Sequence, residues 1–166
     1  MFSTGTGQRT DFPSALLTTD GYRGATVVED FGYRAIERFK GIADDNTKYG
    51  FFENIIEALY TSENFDDETL LKDSRGRKHK SIDIVVVFLK SLCDYSIKNL
   101  QTCSDIINVN DSYWVLMIPS VRAGSRAVDF FRKAWHKDKY TKNVAWISST
   151  ETDKLTHNRK KSVGNA

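Results

Sequence analysis

Apolar residues along this chain follow strand-like runs in some segments and helical spacing in others. Six apolar or aromatic residues in a row, from Tyr113 to Ile118, are followed by Pro119. Because proline cannot donate to a sheet ladder, this run predicts a strand that is buried on both faces and ends there. Beyond it, apolar residues at helical spacing predict an amphipathic helix that packs on the sheet. They are Ala127, Phe130, Phe131, Ala134 and Trp135.

The N-terminal part of the chain predicts a hairpin followed by a short helix. A first strand covers Ser14 to Thr18, and a second covers Ala25 to Asp30. Between them, Asp20-Gly21 indicates a tight turn, because glycine tolerates positive φ. From Tyr33 the apolar spacing lengthens, which predicts a short helix that ends at Gly41.

The middle of the chain predicts a second helix and a second hairpin. Residues with three- and four-residue spacing indicate that helix; they are Phe51, Phe52, Ile55, Ile56 and Leu59. The hairpin has arms at Thr69 to Lys72 and Arg77 to Lys80, on either side of Asp73-Ser74-Arg75-Gly76.

A long helix is predicted from Ser81 to about Gln101. Ser81 is a good N-cap residue, and Asp83 places a negative charge in the first turn. The β-branched run from Val85 to Val87 would also suit a strand, but length and the continuing period favour a helix. Its apolar face should bury Ile82, Val85, Val86, Leu89, Leu92, Cys93, Ser96 and Leu100. This order of elements predicts an α/β (α+β) fold with a mixed sheet.

Charge and hydropathy narrow the classes of partner. The 166 residues carry a net charge of +2, which by itself does not indicate a nucleic acid or a membrane surface. Basic residues are not interleaved with aromatic ones in one stretch, so we expect no nucleic-acid partner. The longest apolar run, Ile84 to Leu89, is too short to cross a bilayer. With only Cys93 and Cys103, the chain fits a reducing compartment, and we expect the cytoplasm.

The sequence signals for catalytic and metal-binding residues are weak. The glycine-rich Thr4–Gly7 follows no strand, and a phosphate loop needs such a framework. Asp44–Thr47 lacks the glycine and the distal glutamate of an EF-hand. His79, His136 and His157 have no partners at ligand or triad spacing, which predicts surface histidines. We therefore expect no metal ligand and no catalytic residue.

A basic run lies on the second predicted hairpin, at Arg75, Arg77, Lys78 and Lys80. Such a run is able to bind anionic groups. Charged hairpin tips are more commonly solvated, and we favour that interpretation.

Several segments match a known family in the same order along the chain. Residues 12–17 (Phe-Pro-Ser-Ala-Leu-Leu) are similar to a Thr-Pro-Thr/Ser-x-Leu-Leu segment, and residues 31–35 to Phe-Gly-Tyr-x-Ala. Residues 114–120 resemble Trp-Val-x-Thr-Val-Pro-Ala, with Met117 in place of threonine. Residues 12–135 thus resemble part of the nucleotide-binding domain of the Hsp70/actin-like ATPase superfamily, in the heat shock 70 kDa protein 12A/12B-like branch.

This resemblance implies a fragment of an actin-like/Hsp70 ATPase domain, with a mixed sheet, packed helices and a small hairpin-plus-helices subdomain. In the full-length family, ATP and magnesium are held by glycine-rich phosphate loops. The first loop, of Asp-x-Gly-Thr type, should precede Pro13 by several tens of residues, and Glu-Pro-x-Ala-Ala should follow Trp135. Neither segment appears, and Ile36 occupies the position of the catalytic lysine of Hsp70 proteins. The resemblance therefore implies an ancestral ATP-binding, chaperone-like switch that is not an active ATPase alone, has no cofactor as an isolated chain, and has no identified nucleotide contacts.

The two ends of the chain differ from this central part. Residues 1–11 are polar and predict a flexible N-terminus, whereas residues 136–166 predict a basic, polar tail that is disordered. Such a tail fits a truncated or alternatively spliced gene model. It should leave a sheet edge uncovered near Trp114, Phe130 and Trp135, which predicts self-association. The alternative function is a non-catalytic module that binds an acidic protein partner through the hairpin and the tail.

Overall fold

The computed structural model describes residues 12–21, 25–42, 48–62, 65–103, 114–118, 124–137 and 144–148. Within these ranges the chain is a mixture of helices and short strands, which confirms the α+β class. The elements are β1 (Leu16–Asp20), β2 (Thr26–Phe31), α1 (Tyr33–Gly41), β3 (Tyr49–Phe52), α2 (Ile55–Thr61), β4 (Leu70–Lys72), β5 (Lys78–Lys80), α3 (Ser81–Cys103), β6 (Trp114–Ile118), α4 (Gly124–Lys137) and β7 (Val144–Ser148).

The described strands form three small sheets, where the sequence predicted one mixed sheet. One sheet has the order β2-β1-β3, and the other two are the pairs β4-β5 and β6-β7. The first two sheets are antiparallel, and β6 and β7 are parallel. Parallel and antiparallel pairing are therefore present in this fold but in separate sheets.

Strand β1 lies at the centre of the three-stranded sheet and is buried on both faces. Leu16 belongs to the main hydrophobic core, whereas Leu17 packs in a second cluster with Ala35 and Phe51. Side chains alternate across a strand, so these neighbours enter different cores. The predicted hairpin between β1 and β2 is confirmed, and the Gly21 amide donates to the Ala25 carbonyl (2.7 Å).

Helix α1 begins and ends as predicted, directly after Gly32. This glycine has a φ of 66°, and a Cβ atom there would overlap the ring of Phe12. Only glycine avoids both the left-handed strain and the overlap. Gly32 therefore allows the chain to leave β2 and to enter α1 beneath Phe12.

The prediction that Phe51 and Phe52 open a helix is wrong. Both residues lie in β3, where Phe51 is the partner of Leu17 across the sheet. Asn54 then takes a left-handed conformation with a φ of 53°, and α2 begins only at Ile55. Ser14 caps this helix from outside, because its carbonyl accepts from the Ile55 amide (2.9 Å). Because Ser14 takes part in this cap, β1 begins only at Leu16, two residues later than predicted.

Helix α3 begins at Ser81 as predicted and continues to Cys103. It packs against α4, β2 and the β4-β5 hairpin. Val86 is half-buried, whereas Ile84 and Phe88 enter the core. The predicted apolar face is confirmed at Ile82, Val85, Leu89 and Cys93, and it extends to Ile84 and Phe88. Its buried members in the structure are Ile82, Ile84, Val85, Phe88, Leu89 and Cys93.

Ser81 does not act as the predicted N-cap. Its hydroxyl is buried, and no described residue forms a hydrogen bond with it. The Ser81 amide instead donates to the Thr69 carbonyl (2.8 Å), which attaches the start of α3 to the hairpin. This backbone bond sets the start of the helix without a side-chain cap.

Strand β6 is buried on one face, so the prediction of a strand buried on both faces is wrong. Val115 and Met117 are 60% and 62% exposed, whereas Ile118 is buried. Trp114 and Leu116, which alternate with them along the strand, pack on the main core. Among the described residues, helix α4 contributes buried side chains to that same core.

The prediction that residues 136–166 are disordered is wrong for two stretches. His136 and Lys137 belong to α4, and β7 pairs with β6 in parallel register from Trp114↔Val144 to Ile118↔Ser148. The apolar run that begins at Val144 is short, and its polar surroundings hide it in the sequence. The remaining residues of the predicted tail, and residues 1–11, lie outside the described part of the chain.

Strand β7 also changes the prediction of an uncovered aromatic edge. It covers one edge of β6, and Phe130 and Trp135 are only 2% and 3% exposed. These two side chains pack in the main core, so they do not form the exposed aromatic surface that the sequence suggested.

Candidate functional site

The basic run of the second hairpin surrounds a buried carboxylate. The hairpin itself is confirmed, and Asp73 lies at its tip with a side chain that is 0% exposed. Around it are Asp20, Arg75, Arg77 and His79, and we call these five residues the Asp73 cluster. The prediction that this hairpin tip is solvated is therefore wrong for Arg75 and Arg77.

One oxygen of Asp73 binds side chains and the other binds the backbone. Arg77 Nε donates to Oδ2 (2.8 Å), and Arg75 Nε and Nη2 each lie 3.4 Å from the same atom. The Oδ1 atom accepts from the backbone amides of Arg75 (3.0 Å) and Arg77 (2.9 Å). Two guanidinium groups and two amides thus compensate the cost of burying this charge.

Asp20, at the end of β1, supplies the second carboxylate of the cluster. Arg77 Nη1 donates to Asp20 Oδ2 (2.6 Å), and Arg75 Nη1 lies 3.9 Å from it. Burial opposes the charge on Arg77, but the hydrogen bonds to Asp73 and Asp20 outweigh it and raise the pKa of Arg77. Both arginines are therefore neutralised within the fold, and neither is available as a free anion-binding group.

Ser74, next to Asp73, attaches the hairpin tip to the edge strand β3. The Ser74 amide donates to the Phe51 carbonyl (2.8 Å), and the Phe51 amide donates to Ser74 Oγ (3.1 Å). A Cβ atom at Gly50 would lie 2.9 Å from Asp73 Oδ2. Glycine at this position therefore lets the hairpin tip approach the sheet. The Asp73 cluster thus has a structural role, because it lies where the hairpin is attached to β3.

His79 is not the isolated surface histidine that the sequence predicted. Its Nε2 atom lies 3.3 Å from Asp73 Oδ2, and its ring packs edge-on against Phe52 at 5.1 Å. Residues 73, 75, 77 and 79 are spaced by two along the turn and the start of β5. That spacing is the sequence signal that could have indicated the cluster.

The two lysines of the basic run behave as predicted. Lys78 is exposed, and Lys80 forms an ion pair with Glu68 (3.2 Å) in which both side chains are more than half exposed. Exposed pairs of this kind contribute little to stability. For these residues a solvated position on the hairpin is confirmed.

A second basic region lies on α4 and was not singled out in the sequence. A cavity of about 660 Å³, which we call the α4 cavity, has four basic side chains and Asp129 in its wall. Phe65 and Phe130 form its apolar part. The basic members are Arg126, Arg132, Lys133 and His136, all of them exposed.

The residues that carry the family resemblance occupy defined places in the fold. Ile36, which the resemblance aligns with a lysine of Hsp70 proteins, packs against the second hydrophobic cluster. Met117 is exposed on β6. Thr4–Gly7, Asp44–Thr47 and His157 lie outside the described residues.

Among the described residues, two titratable side chains in or against the main core have a strongly raised pKa. Cys93 is a free cysteine and is 2% exposed, and burial raises the pKa of its thiol to about 12. Burial likewise raises the pKa of Tyr60 to about 12. Neither side chain is in the ionised form near neutral pH, so neither is a ready nucleophile or base. The side chain of Cys103 is not among those described.

Comparisons with known proteins do not relate this site to a known family. No protein-family model, curated protein or solved structure matches the chain. Within the described ranges, no three His, Cys, Asp or Glu side chains are grouped so that they could hold a metal ion. Over the same ranges, every helix is too short or too polar to cross a membrane.

Proposed function

We propose that residues 12–135 form part of an Hsp70/actin-like nucleotide-binding domain of the heat shock 70 kDa protein 12A/12B-like branch, and that the chain alone does not hydrolyse ATP. The observation that carries the proposal is the unit β6-α4-β7. It begins with the segment that resembles Trp-Val-x-Thr-Val-Pro-Ala, which contains β6, and its two strands are parallel. The resemblance implies an Ala-Gly-Leu/Ile turn and a further strand after this helix. The sequence after Trp135 lacks that turn, but β7 supplies a strand.

The other matching segments also support this assignment, because each coincides with a structural element. The segment at residues 12–17 runs into β1, and the Phe-Gly-Tyr-x-Ala match spans the end of β2, the turn at Gly32 and the start of α1. The β1–β3 sheet with its hairpin supports this proposal, because the resemblance implies a small hairpin-plus-helices subdomain.

Chemistry explains why the isolated chain should be inactive. Phosphoryl transfer depends on positioned cations and metal ligands that stabilise the charge of the transferring phosphoryl group. Ile36 supplies no charge, and Arg75 and Arg77 are bound to Asp73 and Asp20. We therefore assign a structural role within a nucleotide-dependent, chaperone-like switch. We place it in the cytoplasm, because a chain with only two cysteines fits a reducing compartment.

Calorimetry with Mg-ATP on the purified chain tests this function. We expect no saturable heat of binding and no release of phosphate, from a sample that unfolds cooperatively. Micromolar binding of ATP, or magnesium-dependent hydrolysis, would overturn the proposal of an inactive domain fragment.

The α4 cavity favours a second candidate function, the binding of an acidic protein partner. Its exposed basic side chains, unlike Arg75 and Arg77, lie at the surface of the fold, although Arg132 pairs with Asp129 and Lys133 with Asp67. An acidic peptide should bind the chain less tightly after Arg126→Gln, whereas Lys78→Gln on the hairpin serves as the matched control. Equal losses from both substitutions would indicate unspecific attraction and would exclude this function.

A further inference from the structure

We draw no further inference here: the strongest candidate, the exposed apolar face of the β6-β7 sheet at Val115 and Met117, carries none because nothing in the described part of the chain shows what covers it.

Discussion

Replacement of Asp73 by alanine tests whether the Asp73 cluster holds the β4-β5 hairpin to the sheet. The substitution deletes both oxygens that bind Arg75 and Arg77 and removes the neighbour of His79. Two backbone amides lose their acceptor, at 3.0 and 2.9 Å, and two guanidinium groups lose their buried counter-charge. All of these groups lie at the point where the β4-β5 hairpin meets β3.

The expected cost follows from these contacts. Each lost amide bond contributes about 1 kcal/mol, and the charge-assisted bond from Arg77 about 1.5–3 kcal/mol before correction for solvent. Arg77 is 36% exposed and keeps Asp20 as a partner, so we discount its share by about half. We therefore expect Asp73→Ala to lower the free energy of unfolding by about 3 kcal/mol, within the usual range for breaking a buried ion pair.

Urea unfolding, followed by circular dichroism, measures this loss. Asp73→Asn retains an acceptor for the two amides and should lie between the parent and the alanine variant. Asp129→Ala, in an exposed pair with Arg132, is the matched control and should stay within about 0.5 kcal/mol of the parent. If Asp73→Ala were no more destabilising than this control, the Asp73 cluster would not hold the hairpin to the sheet.

Four further predictions test individual features of the fold. Ser81→Ala should leave the free energy of unfolding unchanged or raise it, because it removes a buried hydroxyl without a described hydrogen-bond partner; a loss of about 1 kcal/mol in urea unfolding would instead indicate an N-cap bond. Gly32→Ala should cost about 3 kcal/mol, from left-handed strain and overlap with Phe12, and a melting temperature equal to that of the parent would contradict this. Met117→Ser, on the exposed face of β6, should change stability by less than about 0.5 kcal/mol, whereas a large loss would restore the prediction of a strand buried on both faces. Burial raises the pKa of Cys93 from 9.0 to about 12, so the contribution of its thiol to stability is complete below pH 9.0 and is lost as pH rises toward 12. The free energy of unfolding should therefore fall less steeply over this interval in Cys93→Ala than in the parent. Identical pH profiles would refute the buried, protonated state of the Cys93 thiol.

Elements with strong local signals were predictable from the sequence. The Asp20-Gly21 turn set the first hairpin, and the apolar period gave α3 from Ser81 onward. Helix α1 likewise ends at Gly41 as predicted. In each case the decisive information lies within a few residues, in a turn residue or in a helical repeat.

Elements that depend on distant partners were not predictable in the same way. Phe51 and Phe52 match a helical period, but pairing with β1 makes them a strand. Strand β7 has a weak pattern of its own and gains its partners from β6. Asp73 seemed to belong to a solvated tip, because the sequence does not show that Gly50 leaves space for it against β3. Tertiary contacts override local preference at each of these sites.

The resemblance to the heat shock protein branch, by contrast, was visible in the sequence and is the basis of the proposed function.

Sequencing of the genomic region that encodes the chain tests the central proposal most directly. We predict that the sequence upstream of the codon for Phe12 encodes an Asp-x-Gly-Thr loop, several tens of residues away in the same frame. We also predict that an in-frame Glu-Pro-x-Ala-Ala segment can be read downstream of the codon for Trp135. Flanking sequence that encodes neither segment in any frame would contradict the assignment of residues 12–135 to an Hsp70/actin-like nucleotide-binding domain.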